Sequence, residues 1–223
     1  MIIFYRYSDS SQPGSINKNK LENATKEACL ENFLKAFPKT EHDIIIVADN
    51  VNDSTYDYLI TKGTNVVRTN YKSGAISFLF SVKCAITMDI SDDEIIYFVE
   101  DDYLHTLDSS KYIEDGLKYG DYCTLYDHPD KYINQNESYI YVSKLTHWRT
   151  TISTTMTFAT TKKILNEDWD IYLEHCKTGY PYDHEMFISL NKKKRVLVSS
   201  IPGYSTHIEN AWLTPLRDWA NLL

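Results

Sequence analysis

The sequence has no GxGxxG after its first apolar run and no GxxxxGK[ST] anywhere. Neither the Rossmann dinucleotide fingerprint nor the usual phosphate loop is therefore present. Any nucleotide bound here would be held by side chains and a metal, with no glycine cradle. CxxC pairs are missing too, and the four cysteines, Cys29, Cys84, Cys123 and Cys176, match no zinc spacing. Cys29 and Cys84 fall in segments of helical apolar spacing, so buried free thiols in a reducing compartment are expected. No apolar run approaches the length of a membrane span. The opening stretch, residues 1–7, is too short and too soon charged for a signal peptide. The expected location is cytoplasmic, soluble or peripherally membrane-associated. Excess basic charge is also lacking: 23 Lys and Arg stand against 31 Asp and Glu, a formal charge of −8. Such a surface repels phosphate backbones and argues against nucleic acid as a partner. It does not forbid a nucleotide where a cation stands between carboxylates and phosphate. With no repeat, linker or low-complexity tract, the 223 residues are expected to form a single domain.

What is there reads as an α/β protein. Residues 2–5 form an apolar strand, followed by a polar loop over 8–19 with Pro13 and Gly14. Leu30, Phe33, Leu34 and Phe37 predict a helix over about 20–37, ended near Pro38. The run DIIIVA at 43–48 suits a parallel strand buried on both faces. Val66 and Val67 mark a third strand, 73–89 a mostly apolar helix, and EIIYFV at 94–99 a fourth strand. This order implies a parallel sheet flanked by helices, with ligands at the carboxyl ends of the strands. Asp49 and the acidic triplet Glu100-Asp101-Asp102 occupy such ends. Beyond a composition shift near residue 120, the pattern predicts a helix over 109–118, a strand over 122–125, an irregular stretch over 126–137 and strands within 139–159. Helices over 161–176 and 182–192, a strand over 196–199 and a closing helix after Pro215 follow. The 18 tyrosines suit sugar-contacting clefts, although abundant Lys, Asn, Ile and Tyr are equally the mark of AT-rich coding.

Three adjacent carboxylates at the end of an apolar strand call for neutralisation, because uncompensated buried charge is costly. Mg²⁺ and Mn²⁺ prefer oxygen ligands and bind through one or two carboxylates plus substrate phosphates. If the extended geometry continues through the triplet, Glu100 and Asp102 share one face and Asp101 points elsewhere. A solvated strand end is the plainer alternative.

Phe98-Val99-Glu100-Asp101-Asp102-Tyr103 resembles the DxD-type metal motif of GT-A glycosyltransferases. Its Glu-Asp-Asp form is similar to that of N-acetylglucosaminyltransferase I and its relatives. The order of elements resembles the family 2-like transferases across most of the chain. The resemblance implies a GT-A fold, with a mostly parallel Rossmann-like central sheet flanked by helices. It also implies a nucleotide-sugar half over about 1–120 and a mixed acceptor half over about 121–223. The implied reaction is metal-dependent transfer of a sugar from a nucleotide-sugar donor, with a UDP-sugar favoured, to a hydroxyl of a glycan or glycoconjugate. The implied cofactor is Mn²⁺ or Mg²⁺.

Tyr182-Asp183-His184-Glu185-Met186-Phe187 matches the acidic residue that opens a helix in inverting members. Glu185 stands two residues on and Met186 three, while Tyr182 replaces the family's usual Glu. By this resemblance Asp183 is the catalytic base and the reaction inverts; an Asp at a helix start also caps it. His207, in an expected loop after Pro202-Gly203-Tyr204, matches a C-terminal metal ligand beside Asp102, or is an ordinary His. Glu100 and Asp101 would position the ion's waters or the ribose, and Asp49 the base or ribose. Tyr5 and Arg6 would flank the nucleotide, Arg6 being otherwise a surface charge. His128 and His147 are weaker candidates. Trp148, Arg149, Thr150 and Thr151 are candidates for the acceptor cleft, a core Trp being commoner.

Two other classes use the same residues. A nucleotidyltransferase or phosphohydrolase needs the same cation, but residues 8–20 offer a poor phosphate loop: one Gly, Lys18 and Lys20, with Arg6 just before. A non-catalytic carbohydrate-binding protein on a decayed transferase fold is the third reading.

Overall fold

The computed structural model describes residues 1–10, 19–134 and 137–223. Most of the expected loop over 8–19, with Pro13, Gly14 and Lys18, lies outside the described residues, as does part of the 126–137 stretch. The first half runs β1 (Ile2–Tyr7), α1 (Lys26–Ala36), β2 (Asp43–Asp49), α2 (Asp53–Ile60), β3 (Asn65–Thr69), α3 (Gly74–Thr87) and β4 (Ile95–Glu100). The second runs β5 (Tyr103–His105), α4 (Ser110–Gly116), β6 (Tyr122–Thr124), β7 (Ile140–Val142), β8 (His147–Thr151), β9 (Phe158–Thr161), α5 (Lys162–Glu167), α6 (Trp169–Cys176), α7 (Asp183–Lys192), β10 (Leu197–Ile201) and β11 (Ser205–His207).

Among the described residues, one nine-stranded sheet has the order β3-β2-β1-β4-β9-β6-β10-β8-β7. Its first four strands are all parallel. β9 then runs antiparallel to both β4 and β6, and the outer strands are mixed. The expected architecture is thus present, with the parallel part in the first half. β5 and β11 form a separate antiparallel ribbon, which the sequence did not announce because each strand has only three residues.

The pleat of β1 explains how both faces are filled. Ile3, Tyr5 and Tyr7 face a core with Leu30 and Phe33 of α1, while Ile2 and Phe4 face one with Phe78 and Val82 of α3. All six residues of β1 are buried, as a central parallel strand requires.

Helix starts follow hydroxyl and amide caps. Thr25 accepts from Ala28 N, so α1 begins at Lys26 and not near residue 20. Asn52 and Ser73 cap α2 and α3 in the same way. The expected helix over 161–176 is split at Asp168, which ends α5 and opens α6. The expected closing helix is reduced to a 3-10 turn, Ala220–Leu222. All four cysteines are free; three are buried and Cys84 is half-buried. Among the described residues no helix is long and apolar enough to cross a membrane.

Asp168 does more than divide two helices. Its fully buried carboxylate accepts from Tyr122 Oη (2.7 Å), Lys193 Nζ (2.6 Å) and Arg195 Nε (2.8 Å). It therefore ties β6, the end of α7 and the approach to β10 into one cluster. Removing one partner of a buried ion pair strands the other. Asp168→Ala is expected to lower stability by about 3–5 kcal/mol, read as a fall in the urea midpoint at unchanged slope.

Candidate functional site

The carboxyl ends of β1, β2 and β4 open into one cleft of about 190 Å³, whose lining includes Arg6, Asp49, Glu100, Asp101 and Asp102. The parallel register sets Arg6 directly beside Glu100. Their side chains share a face, and Arg6 Nη2 lies 3.1 Å from Glu100 Oε1. Thr157 Oγ1 holds Glu100 from the opposite side, accepting from its backbone N–H (3.2 Å) and donating to Oε2 (3.4 Å).

The triplet does not stay extended. Glu100 ends β4, and Asp101 and Asp102 form a turn into β5. The face-sharing expected of a continuous strand is therefore lost, and each acid meets a different partner. Asp101 Oδ2 accepts from Ser8 N (2.8 Å) and pairs with Lys26 Nζ (2.9 Å). Asp102 Oδ2 lies 3.1 Å from His207 Nε2. His207 is not in a loop: it ends β11 opposite Tyr103, the residue after Asp102. The Ile208 N–H donates to the Asp102 carbonyl at 3.0 Å, fixing the turn. Neutralisation of the triplet thus comes from Arg6, Lys26 and His207, all within the chain.

Asp49 lines the cleft with its carboxylate already engaged. Oδ1 accepts from Thr69 Oγ1 (2.9 Å) and Tyr71 N (2.6 Å), which fixes the chain leaving β3. Asp183 opens α7 without capping it; its Oδ1 accepts from the next residue, His184 N, at 2.9 Å. His184 Nδ1 meets Ser153 Oγ at 3.0 Å, and the Asp183 charge reaches Glu100. Burial raises the Asp183 pKa above the usual carboxylate range.

Tyr5 stands apart from the cleft. The strand alternation that turns Arg6 toward α3 turns Tyr5 onto Phe33, fully buried. Trp148 is likewise a core residue; its Nε1 donates to Asp115 Oδ2 at 2.8 Å. Arg149 pairs with buried Asp127, and Thr150 and Thr151 follow it half-buried on β8. His128 packs on Tyr126 and Trp212 with Asp130 at its Nδ1, and His147 is exposed at the start of β8. The cleft also contains Ser8, Lys20, Lys26, Lys72 and Ser77. Sequence reasoning named Lys20 only as part of a poor phosphate loop and missed the others, because nothing in their local pattern separates them from ordinary surface or helix residues.

Among the described residues, no group of three or more His, Cys, Asp and Glu is arranged to cage an ion. A two-ligand site completed by ligand phosphates needs less. Asp102 Oδ2 and His207 Nε2 are 3.1 Å apart, the separation of adjacent ligands on an octahedral ion with bonds of about 2.1 Å. His207 Nδ1 accepts from Glu209 N at 3.1 Å, so in the neutral ring Nε2 carries the proton. Ligation through Nε2 requires that proton to move to Nδ1 and the Glu209 N–H contact to open. The pair fits a divalent cation on those terms. Burial raises the Asp102 pKa, but the His207 charge and hydrogen bond outweigh it and hold it at about 2.

No protein-family profile and no curated protein matches the chain in sequence. Solved structures match its fold. S. aureus TarS aligns with a TM-score of 0.56 and 16% identity, over 92% of this chain and 36% of that one. A shorter TarS chain, 1–349, in complex with UDP-GlcNAc aligns at 0.52 and 14%, over 95% and 56%. The galactosyltransferase LgtC, in complex with donor and acceptor sugar analogues, aligns at 0.51 and 12%, over 89% and 73%. A nucleotidyl transferase from Methanothermobacter aligns at 0.51 and 13%, over 90% and 87%. The chain spans about a third of the length of the longer TarS chain. At these identities the likeness is one of fold. The chain has a GT-A-like fold, and the matched structures include both glycosyltransferases and a nucleotidyl transferase.

Glu100 is the strained member of the site. Burial pushes its pKa up to about 7, the Asp102 and Asp183 charges add to the rise, and Arg6 opposes it. A carboxyl whose folded pKa is raised weakens the fold as pH climbs from its unfolded value, near 4.3, through 7. Glu100→Gln removes that burden. Its Tm is expected to exceed the parent's by about 2–4 °C at pH 8, with the gain shrinking to nothing near pH 4. An equal gain at both pH values would assign the effect to packing.

Proposed function

We propose that the protein transfers a sugar from a nucleotide-sugar donor to an acceptor hydroxyl, with a divalent cation and with inversion at the anomeric carbon. The observation that carries this reading is the meeting of Asp49, Glu100, Asp101 and Asp102 at the carboxyl edge of parallel strands. His207 stands against Asp102, and Asp183 opens α7 outside the cleft lining. A UDP-sugar is the favoured donor, and the TarS match in complex with UDP-GlcNAc supports that class. The acceptor is a glycan or glycoconjugate.

Asp49 would receive the ribose or base, close to Ser8 and Ser10 in the cleft lining. Asp101, held by Ser8 N–H and Lys26, would fix the wall on which the nucleotide lies. Asp102 and His207 would hold Mn²⁺ or Mg²⁺, which when bound neutralises charge growing on the departing diphosphate. Asp183 accepts the acceptor's hydroxyl proton as the new C–O bond forms. The anomeric carbon's bond to the phosphate oxygen breaks, and the diphosphate leaves with the electron pair. The burial that raises the Asp183 pKa brings it nearer the working range of a general base. Attack from the face opposite the leaving group inverts the centre.

A nucleotidyltransferase reading draws on the four cations of the cleft, Arg6, Lys20, Lys26 and Lys72, and on the nucleotidyl transferase among the fold matches. It requires release of pyrophosphate from a nucleoside triphosphate and a sugar 1-phosphate, without any acceptor. Pyrophosphate release in that assay, with no transfer from UDP-sugars, would replace the transferase reading.

Thermal unfolding with UDP, GDP, dTDP and CMP, each with Mn²⁺ or with EDTA, tests the site. One nucleotide is expected to raise Tm more with the metal than with EDTA, and Asp102→Asn is expected to abolish that difference. In turnover assays Asp183→Asn is expected to lower kcat by about 10²–10⁴-fold with KM little changed. A product that keeps the donor's anomeric configuration would exclude inversion through one base.

A further inference from the structure

The cleft has a second wall that the transfer chemistry above does not use. It is made of Arg6, the first turn of α3 and Ser77. Arg6 is 8% exposed and Ser77 3%, and both line the cleft. Arg6 Nη1 donates to the Gly74 carbonyl at 2.8 Å. Arg6 Nε and Nη2 and Ser77 Oγ are buried with no hydrogen-bond partner among the described residues. Nη2 comes within 3.1 Å of Glu100 Oε1, but not in hydrogen-bond geometry.

These orphaned donors are not scattered. Nε and Nη2 form one edge of the guanidinium, the edge that grips carboxylates and phosphates with two parallel hydrogen bonds. Nη1, tied to the start of α3, holds the plane in place. α3 has fourteen residues, and its Gly74 and Ala75 N–H groups have no intrahelical acceptor. Its N-terminal end carries partial positive charge. Lys72 lines the cleft beside it, in a left-handed conformation at φ 56°. A buried donor left unpaired is destabilising in the free protein, so donors from one edge of Arg6 and from Ser77 are poised for a group that arrives with the ligand. Glu100 Oε1 beside Nη2 opposes an arriving anion, and the open edge of Arg6, Ser77 and the helix start stand against that charge.

We infer that Arg6, Ser77 and the first turn of α3 form an oxyanion subsite, which takes a phosphate or a sugar carboxylate carried by the bound donor. Its assignment to the donor rests on the transferase reading, whereas the capture of an anion does not. The subsite is separate from the Asp102–His207 pair and needs no metal.

The test is calorimetric titration in EDTA with inorganic phosphate, pyrophosphate, D-glucuronate and, as the neutral control, D-glucose. The parent is expected to bind at least one anion and not glucose. Ser77→Ala, which removes one hydroxyl from a packed helix, is expected to weaken that anion about 10-fold. Arg6→Lys keeps the charge but loses the fork, and is expected to weaken it at least as much; Lys163→Met, outside the cleft lining, leaves it unchanged. Preference for phosphate or pyrophosphate assigns the subsite to the donor's phosphates, and preference for glucuronate assigns it to an acidic sugar. Anion binding that ignores Ser77→Ala and Arg6→Lys, or no anion binding at all, overturns the inference. That failure alongside Mn²⁺-dependent UDP binding would leave the transferase reading intact. Anion binding without nucleotide binding would do the reverse.

Discussion

Three carboxylates in a row can close a buried strand only if cations meet them there, and the pairing of β1 with β4 supplies the first. Because the two strands run parallel in register, Arg6 lies next to Glu100. That contact is incompatible with a one-residue slip, which would turn Arg6 onto the α1 core and Tyr5 toward the acids. The rest of the site hangs on it. With Glu100 fixed, the chain turns through Asp101 toward Lys26 and through Asp102 toward His207.

The outcome is a cleft in which acids and bases are interleaved. Asp49, Glu100, Asp101 and Asp102 face Arg6, Lys20, Lys26 and Lys72. A diphosphate placed here would meet cations that the chain itself provides, and a divalent cation would meet carboxylates whose local charge is already partly balanced. Fold likeness extends to proteins of two activities, and this mixed lining is compatible with both. What would separate the readings is Asp183, to which the proposed sugar transfer gives a proton to accept.

Much of this was legible in the sequence. The apolar runs at 43–48 and 94–99 announced buried parallel strands, and Asp49 and the triplet sit at their ends as expected. Direction along a strand was legible because period two is strict, yet Tyr5 and Arg6 were read together when the pleat sends them to opposite faces. The turn at Asp101-Asp102 was hidden, since acidic residues continue a strand or leave it with equal ease. His207 was singled out by resemblance, and Pro202-Gly203-Tyr204 before it suggested a loop; its strand was hidden, because a three-residue ribbon leaves no periodicity to read. Ser77 left no trace at all: within an apolar helix one serine looks like a tolerated small residue.

The contact between Asp102 and His207 also has a meaning in time. During synthesis, at about 5–20 residues per second, domains begin to form from the N-terminal side. β1 to β4 can pair as soon as Glu100 has left the ribosome. His207 follows only after roughly 5–20 s at that pace, and β9, which covers the free edge of β4, lies well downstream. Until β9 emerges, a nascent chain carries an open apolar sheet edge beside an acidic turn that His207 has not yet reached. The edge invites pairing with other chains, while the uncovered negative charge keeps them at a distance. On that timetable the acids that later shape the cleft would first guard the half-made sheet.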